Sequence, residues 1–188
     1  MNYLNKSFTV PYMSKEYRDN WSKIFRKDVA MKVFRLRPDA KLPRREHEDD
    51  AGADVFYCPT HKEPILFESR GEGFDRRIYP FESHIVPTGI KVEVPKGYML
   101  EVKNKGGIAA KRNLVVGSCV VDSGYDGEVF VNLHNIGVEA QNIKPGEKIA
   151  QIVLIPIANC TFQEVFDENE INIDSKRGDG ALGSTGIK

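Results

Sequence analysis

Ile90, Val92 and Val94 alternate with Lys91 and Glu93, and the run stops at Pro95-Lys96-Gly97. A period of two puts apolar side chains on one face of a strand and charged ones on the other, and a Pro-x-Gly stop turns the chain back. The same grammar recurs along the chain. Met31 opens Lys-Val-Phe-Arg-Leu-Arg, residues 98–103 read as another strand, and Val129, Val131 and Leu133 alternate after a glycine turn. Residues 149–157 form a longer apolar run with one polar residue, Gln151, the pattern of a strand covered on both sides. Many short strands punctuated by Gly and Pro predict an all-β sandwich or jelly roll.

Two regions break the pattern. Tyr17, Trp21, Ile24 and Phe25 recur at i, i+4, i+7 and i+8, which predicts an amphipathic helix over residues 14–25. Residues 1–30 are therefore read as an N-terminal extension whose helix packs on the main domain or a neighbouring subunit, or docks another protein. The β domain is expected over 31–173, with residues 60–77 as a surface hairpin or long loop. Residues 174–188 contain four glycines and little apolar content, as a flexible C-terminal arm would.

Lys plus Arg and Asp plus Glu both number 27 in these 188 residues, so the formal charge is zero. That balance argues against a duplex nucleic-acid partner, which calls for a basic face, but leaves room for a local basic cluster that binds polyphosphate. Cys58, Cys119 and Cys160 are odd in number and far apart. They fit neither a disulfide framework nor a CxxC zinc site, and are expected to be buried free thiols in a reducing cytosol. The chain contains neither a signal-like segment nor an 18-residue apolar run, so a membrane partner is not expected and a cytoplasmic location is.

Residues 121–135 carry Asp122 and the ring of Tyr125, with Gly124 and Gly127 bracketing the turn before a strand. A carboxylate of ordinary pKa is ionised at neutral pH and can orient a water for attack, although turn aspartates also cap their own backbone. Asp54 follows the small-residue stretch Ala51-Gly52-Ala53 and precedes a strand. Residues 104–112 combine Gly106-Gly107 with Lys105, Lys111 and Arg112, a composition that suits an anion nest or a solvated basic loop. The tail offers Arg177, Ser184 and Thr185 on a glycine-rich backbone, but lacks the Gly-Lys-Ser/Thr ending of a P-loop.

Ala-Gly-x-Asp, Gly-Ile-Ala-x-Lys, Val-Asp-x-x-Tyr-x-Gly-Glu-Val, Pro-Gly-x-Lys-Ile-Ala-Gln and Arg-Gly-x-Gly-x-x-Gly-Ser-Thr-Gly follow one another in this order. Together they resemble the five motifs of the trimeric dUTPases over about residues 31–188. The resemblance implies a jelly-roll (β-clip) homotrimer with active sites at subunit interfaces. It also implies hydrolysis of dUTP to dUMP and pyrophosphate with Mg²⁺ on the phosphates. Carried onto this chain, Asp122 would orient the attacking water, and Tyr125 would lie against the deoxyribose. Backbone groups from Cys119 to Val121 would read the base edge. Asp54 would support the metal through its water shell, Gln151 would contact phosphate, and Arg177, Ser184 and Thr185 would grip the phosphates as the arm closes.

The chain departs from that pattern at three places. The family's Arg-Ser-Gly reads Lys105-Gly106-Gly107, which removes a bidentate guanidinium and a hydroxyl worth roughly 1.5–3 kcal/mol per charged hydrogen bond. Leu182 stands where an aromatic stacks on the base, a contact worth about 1–3 kcal/mol. Asp126 replaces a cation beside Tyr125. These changes leave open a non-catalytic nucleotide- or protein-binding role on the same fold. The related dCTP deaminases place a glutamate where this chain has Asn132, and an amide cannot shuttle their proton.

Overall fold

The computed structural model describes residues 29–60 and 75–171. Its strands are β1 (Lys32–Arg35), β2 (Ala53–Phe56), β3 (Arg76–Ile78), β4 (Ser83–Pro87), β5 (Ile90–Glu93), β6 (Tyr98–Lys103), β7 (Leu114–Val116), β8 (Val120–Val121), β9 (Phe130–Asn135), β10 (Gln141–Ile143) and β11 (Lys148–Pro156). One short helix, α1 (Gly106–Arg112), lies between β6 and β7. The chain divides into two compact units at Ile157/Ala158, and the strands all belong to the first. The described part of the second unit contains a single 3-10 turn, Glu168–Glu170, capped by Asp167 through its bond from the Asn169 amide at 2.9 Å.

All the strand pairings are antiparallel. The largest sheet runs β2-β11-β6-β8, a second runs β4-β9-β7, and β1-β5 and β10-β3 complete the body as two-stranded ribbons. The expected alternations account for the core. Val129, Val131 and Leu133 are fully buried, as is Ile90 on β5, and Val92 is buried beside it, while Lys91 and Glu93 point outward. The run at 149–157 is covered as expected only over its first half. Ile149, Ala150 and Ile152 are buried, but the pairing with β2 ends at Ile152↔Ala53, and beyond it Leu154 and Ile155 are half-buried and Ile157 is exposed.

Glycine turns connect these strands. Tyr98 N–H bonds the Pro95 carbonyl across Gly97, and Glu147 N–H bonds Lys144 across Pro145-Gly146. Gly97 and Gly146 have φ near +80°, the value that the third residue of a type II turn requires. Asn135, buried at the end of β9, spends its side chain on the Ile78 and Glu139 carbonyls and the Gly137 amide, which closes the β9–β10 turn onto β3.

Three expectations need correction. Residues 106–112 are a helix rather than a nest-forming turn. Seven residues with two leading glycines generate no visible helical period, and the segment is held from outside: Arg112 reaches Glu147 at 2.7 Å and Gln141 at 3.1 Å, and Asn113 ends it in the left-handed conformation. Arg76 and Arg77, at the end of the stretch expected as a hairpin or long loop, belong to β3, because β10 pairs with them; residues 61–74 of that stretch lie outside the described residues. Of the three free cysteines only Cys58 is buried; Cys119 is intermediate and Cys160 exposed. The helix expected over 14–25 and the arm over 174–188 also lie outside the described residues.

Gly89, between β4 and β5, has φ +73°, and a Cβ there would sit 2.7 Å from Ala40 Cβ and 2.8 Å from Cys58 Sγ. Gly97 has φ +83° with open space around it. Gly89→Ala therefore adds core overlap to backbone strain and should cost about 2–4 kcal/mol, against about 1–2 for Gly97→Ala, in urea unfolding. Equal losses would show that packing at Gly89 relaxes freely.

Candidate active site

The residues singled out by sequence gather in two places. The first lies where β2, β11 and the start of α1 meet. Asp54 and Gln151 are register partners on β2 and β11, and Gln151 also faces Lys103 on β6. Gly52 allows the Gln151 side chain to lie back across the strand, since a Cβ there would come within 2.5 Å of Gln151 Oε1. Gln151 Nε2 donates to the Asn104 carbonyl at 2.9 Å, and Asn104 Oδ1 accepts from the Val116 amide at 2.6 Å. Asn104 thus ties the entrance of α1 to both β11 and β7. Lys105 is the N-cap residue, and Gly106 and Gly107 form the exposed first turn. A Cβ added to either glycine would meet nothing within 4 Å.

Asp54 is the electrostatic centre of this cluster. Its side chain is only 6% exposed, with Lys105 Nζ 2.7 Å from Oδ1 and Lys148 Nζ 2.8 Å from Oδ2. The second contact is an ion pair without hydrogen-bond alignment, so Oδ2 keeps acceptor capacity. Burial pushes the Asp54 pKa up, but the two lysines outweigh it and leave the carboxyl below its ordinary value. Lys148 also reaches Glu46 at 2.6 Å, and Arg44 reaches the same carboxylate at 2.6 Å. Those two cations hold Glu46 down to about 2. The Arg44 backbone bridges to Asp54 in both directions, which fixes this chain of charges to β2.

The second cluster is the turn after β8. Val102 N–H bonds the Cys119 carbonyl at 2.7 Å, and Val121 pairs with Leu100. β8 is an edge strand of its sheet, with β6 on one side only. Asp122 is exposed, and its carbonyl accepts from the Tyr125 amide at 3.1 Å. Tyr125 folds back over Gly127, where a Cβ would collide with its hydroxyl, and that hydroxyl donates to the Glu128 carbonyl at 2.9 Å. The glycine is therefore required by the ring. Asp126 pairs with Lys91 on β5.

The two clusters stand apart. Ala53, Ile152, Val102 and Cys119 form one row across the large sheet, and Asp122 continues β8 away from the Asp54–Gln151 row. Three strand spacings across and about four residues along separate Asp54 from Asp122 by about 15–20 Å within one chain. Arg177, Leu182, Ser184 and Thr185 lie outside the described residues. Lys148, Asn104, Glu128 and Arg37 did not stand out in the sequence. Lys148 and Glu128 do lie inside the fourth and third motif strings, which was the available signal.

The dUTPase family model matches residues 74–186. The deoxyuridine 5'-triphosphate nucleotidohydrolase of Clostridium tetani is 32% identical over 161 residues, 85% of this chain and 98% of the relative. The chain belongs to the dUTPase family. The fold agrees: the dUTPase of Staphylococcus bacteriophage 80alpha, solved with dUpNHpp, superposes with a TM-score of 0.70 at 24% identity, covering 84% of this chain and 99% of that one. A dUTPase from phage phi11 of S. aureus, described as coordinating a structural Mg(II) ion, superposes at 0.63 with 22% identity over 75% of this chain and 99% of that one.

In this dUTPase-family chain Asn132 lies on the outward face of β9. It accepts from His134 Nε2 at 2.8 Å and donates to Ser83 Oγ at 2.8 Å, so its amide is a structural link between β9 and β4. Among the described residues, no helix is long and apolar enough to cross a membrane.

Because the folded pKa of Asp54 lies below the unfolded value of about 3.9, its pairing stabilises the fold fully above that pH and is lost as pH falls through the folded value. Asp54→Asn should cost about 2 kcal/mol at pH 7 in urea unfolding. That gap should narrow below about pH 4; a gap constant down to pH 3 would show that the lysines do not hold the carboxylate.

Proposed function

We propose that this chain hydrolyses dUTP to dUMP and pyrophosphate, on a jelly-roll body assembled as a homotrimer. The observation that carries the reading is the Asp122 turn. An exposed carboxylate sits three residues before a ring locked by its own hydroxyl, and the Tyr125 amide holds the Asp122 backbone, so the acid and the ring are carried on one hydrogen-bonded turn. In this reading Asp122 orients the water that attacks the α-phosphate, and Tyr125 packs against the deoxyribose. The edge backbone at Cys119–Val121 reads the base. Lys105, the amides of Gly106 and Gly107, and Gln151 receive the phosphates, which suits chemistry that needs mainly positioning and charge neutralisation. From the arm, Arg177, Ser184 and Thr185 close over the phosphates and Leu182 covers the base.

Assembly follows from the separation of the clusters. Groups about 15–20 Å apart cannot serve one phosphate chain from a single subunit, so the Asp122 turn of one copy faces the Asp54–Lys105–Gln151 cluster of another. Exposed apolar side chains on the β4-β9-β7 sheet, Ile85 and Phe130, support burial between copies.

Mg²⁺ fits this donor set as an ion that arrives with its own oxygens. Among the described residues no group of three or more His, Cys, Asp or Glu side chains could hold a metal, yet Asp54 Oδ2 is buried with acceptor capacity for a coordinated water. The ion would neutralise charge on the phosphates, and Asp54 would orient its water shell.

Purified protein with Mg²⁺ should release pyrophosphate from dUTP, and Asp122→Asn should lower kcat by about 10²–10⁴. Wild type and mutant equally inert on all deoxynucleoside triphosphates would overturn the reading, and tight binding without turnover in calorimetry would establish the non-catalytic alternative. Gly106 has open space for a side chain. Gly106→Ser should therefore raise kcat/KM about tenfold by adding a hydroxyl to the phosphates; an unchanged value would place Gly106 away from them.

A further inference from the structure

Beneath the Asp122 turn lies a polar network that the proposed chemistry does not use. Arg37, in the loop after β1, forms a two-pronged pair with Glu128: Nη1 donates to Oε2 at 3.0 Å and Nη2 donates to Oε1. The two side chains are 14% and 11% exposed. Arg37 Nη2 also donates to the Cys58 carbonyl at 2.9 Å, and Nε lies 3.3 Å from Cys58 Sγ. Glu128 Oε1 accepts a further bond from the Gly89 amide at 2.7 Å, while the Gly89 carbonyl accepts from Leu36 at 2.8 Å. One largely covered carboxylate thus joins the loop after β1, the segment after β2 and the β4–β5 turn to the strand entrance at β9.

Glu128 is also the residue whose carbonyl receives the Tyr125 hydroxyl, and the Tyr125 amide in turn holds the Asp122 carbonyl. A path therefore runs from Arg37 through the carboxylate and then the backbone carbonyl of Glu128 to Tyr125, and on to the Asp122 backbone. Other bonds anchor the neighbourhood without touching that path: Thr88 Oγ1 donates to the Val129 carbonyl, and the Val129 backbone N–H donates to the Ile90 carbonyl at 2.9 Å. β9 keeps these bonds without Arg37, whereas the Arg37–Glu128 pair fixes the residue at the entrance of β9 from which the turn hangs. A planar guanidinium with donors on two sides suits this task, because it fixes the orientation of the carboxylate as well as neutralising its charge.

We propose that Arg37 and Glu128 are positioning residues for the hydrolysis, setting Asp122 and Tyr125 through the Glu128 carbonyl. This rests on the hydrolase reading above. Displacing a reacting group by about 1 Å can cost about a hundredfold in rate. Arg37→Lys keeps the charge but loses the second prong and the Cys58 carbonyl, and should lower kcat on dUTP about ten- to a hundredfold with KM changed less than about threefold.

The decisive measurement is a double-mutant cycle on kcat with Arg37→Lys and Tyr125→Phe, which removes the hydroxyl that links the two. Coupling through that bond requires the double variant to lose much less than the product of the single losses. Glu128→Gln gives the same cycle a second arm should Arg37→Lys fold poorly, since it keeps the side-chain shape. Ile143→Ala, in the core on β10, supplies a destabilised control that should retain kcat per folded molecule. Multiplicative losses, or an Arg37→Lys kcat within twofold of wild type, would overturn the positioning role while leaving the hydrolase reading intact. An inert wild type would remove that reading and this role together.

Discussion

The double pairing of β11, with β2 on one edge and β6 on the other, is the constraint on which the Asp54 half of this molecule depends. It places Gln151 between Asp54 and Lys103 in one row, and an irregularity between Lys148 and Ala150 lets Lys148 turn toward Asp54. Two ammonium groups then meet one buried carboxylate. A buried acid without those partners would incur a desolvation cost of several kcal/mol. The strand register, the charge pairing and the placement of Lys105 at the entrance of α1 are therefore one arrangement rather than three.

The other half is organised by a different device. β8 is only two residues long and pairs on one side, so it cannot hold the following turn by ladder bonds alone. Bonds within the turn and the Glu128 anchor beneath it make up the difference. The Asp54 cluster rests on sheet register, whereas the Asp122 turn rests on its own bonds and on Glu128, whose carboxylate is held by Arg37 and the Gly89 amide.

Much of this was legible in the sequence, for a physical reason. Val129, Val131 and Leu133 announce a strand because burying one face imposes a period of two, and Pro95-Lys96-Gly97 announces a turn because the third position needs a positive φ. Motif order drew attention to the segments that carry Asp54, Lys105, Gln151, Asp122 and Tyr125. What stayed hidden depends on contacts between distant parts of the chain. α1 is stabilised by Arg112 reaching β10 and the turn before β11, not by its own composition. Arg37 and Glu128 are 91 residues apart, and no local pattern links them. Cysteine burial likewise follows from where the chain runs, so Cys58 and Cys160 differ although the residue type is the same.

The charge pattern around Asp54 bears on how a neutral chain could hold a polyanion. Lys105, Lys148 and Arg44 outnumber Asp54 and Glu46 by one, a modest excess set into a protein whose formal charge is zero. The acids weaken the attraction the cluster exerts on a phosphate, but they also hold the lysines in place before any ligand arrives. A solvated lysine must lose side-chain freedom to bind, and one already clamped by a carboxylate has lost much of it. The cluster thus exchanges affinity for preorganisation. In the proposed reaction that exchange favours the rate step, because interactions fixed in advance are the ones that lower a barrier rather than merely deepen the bound state.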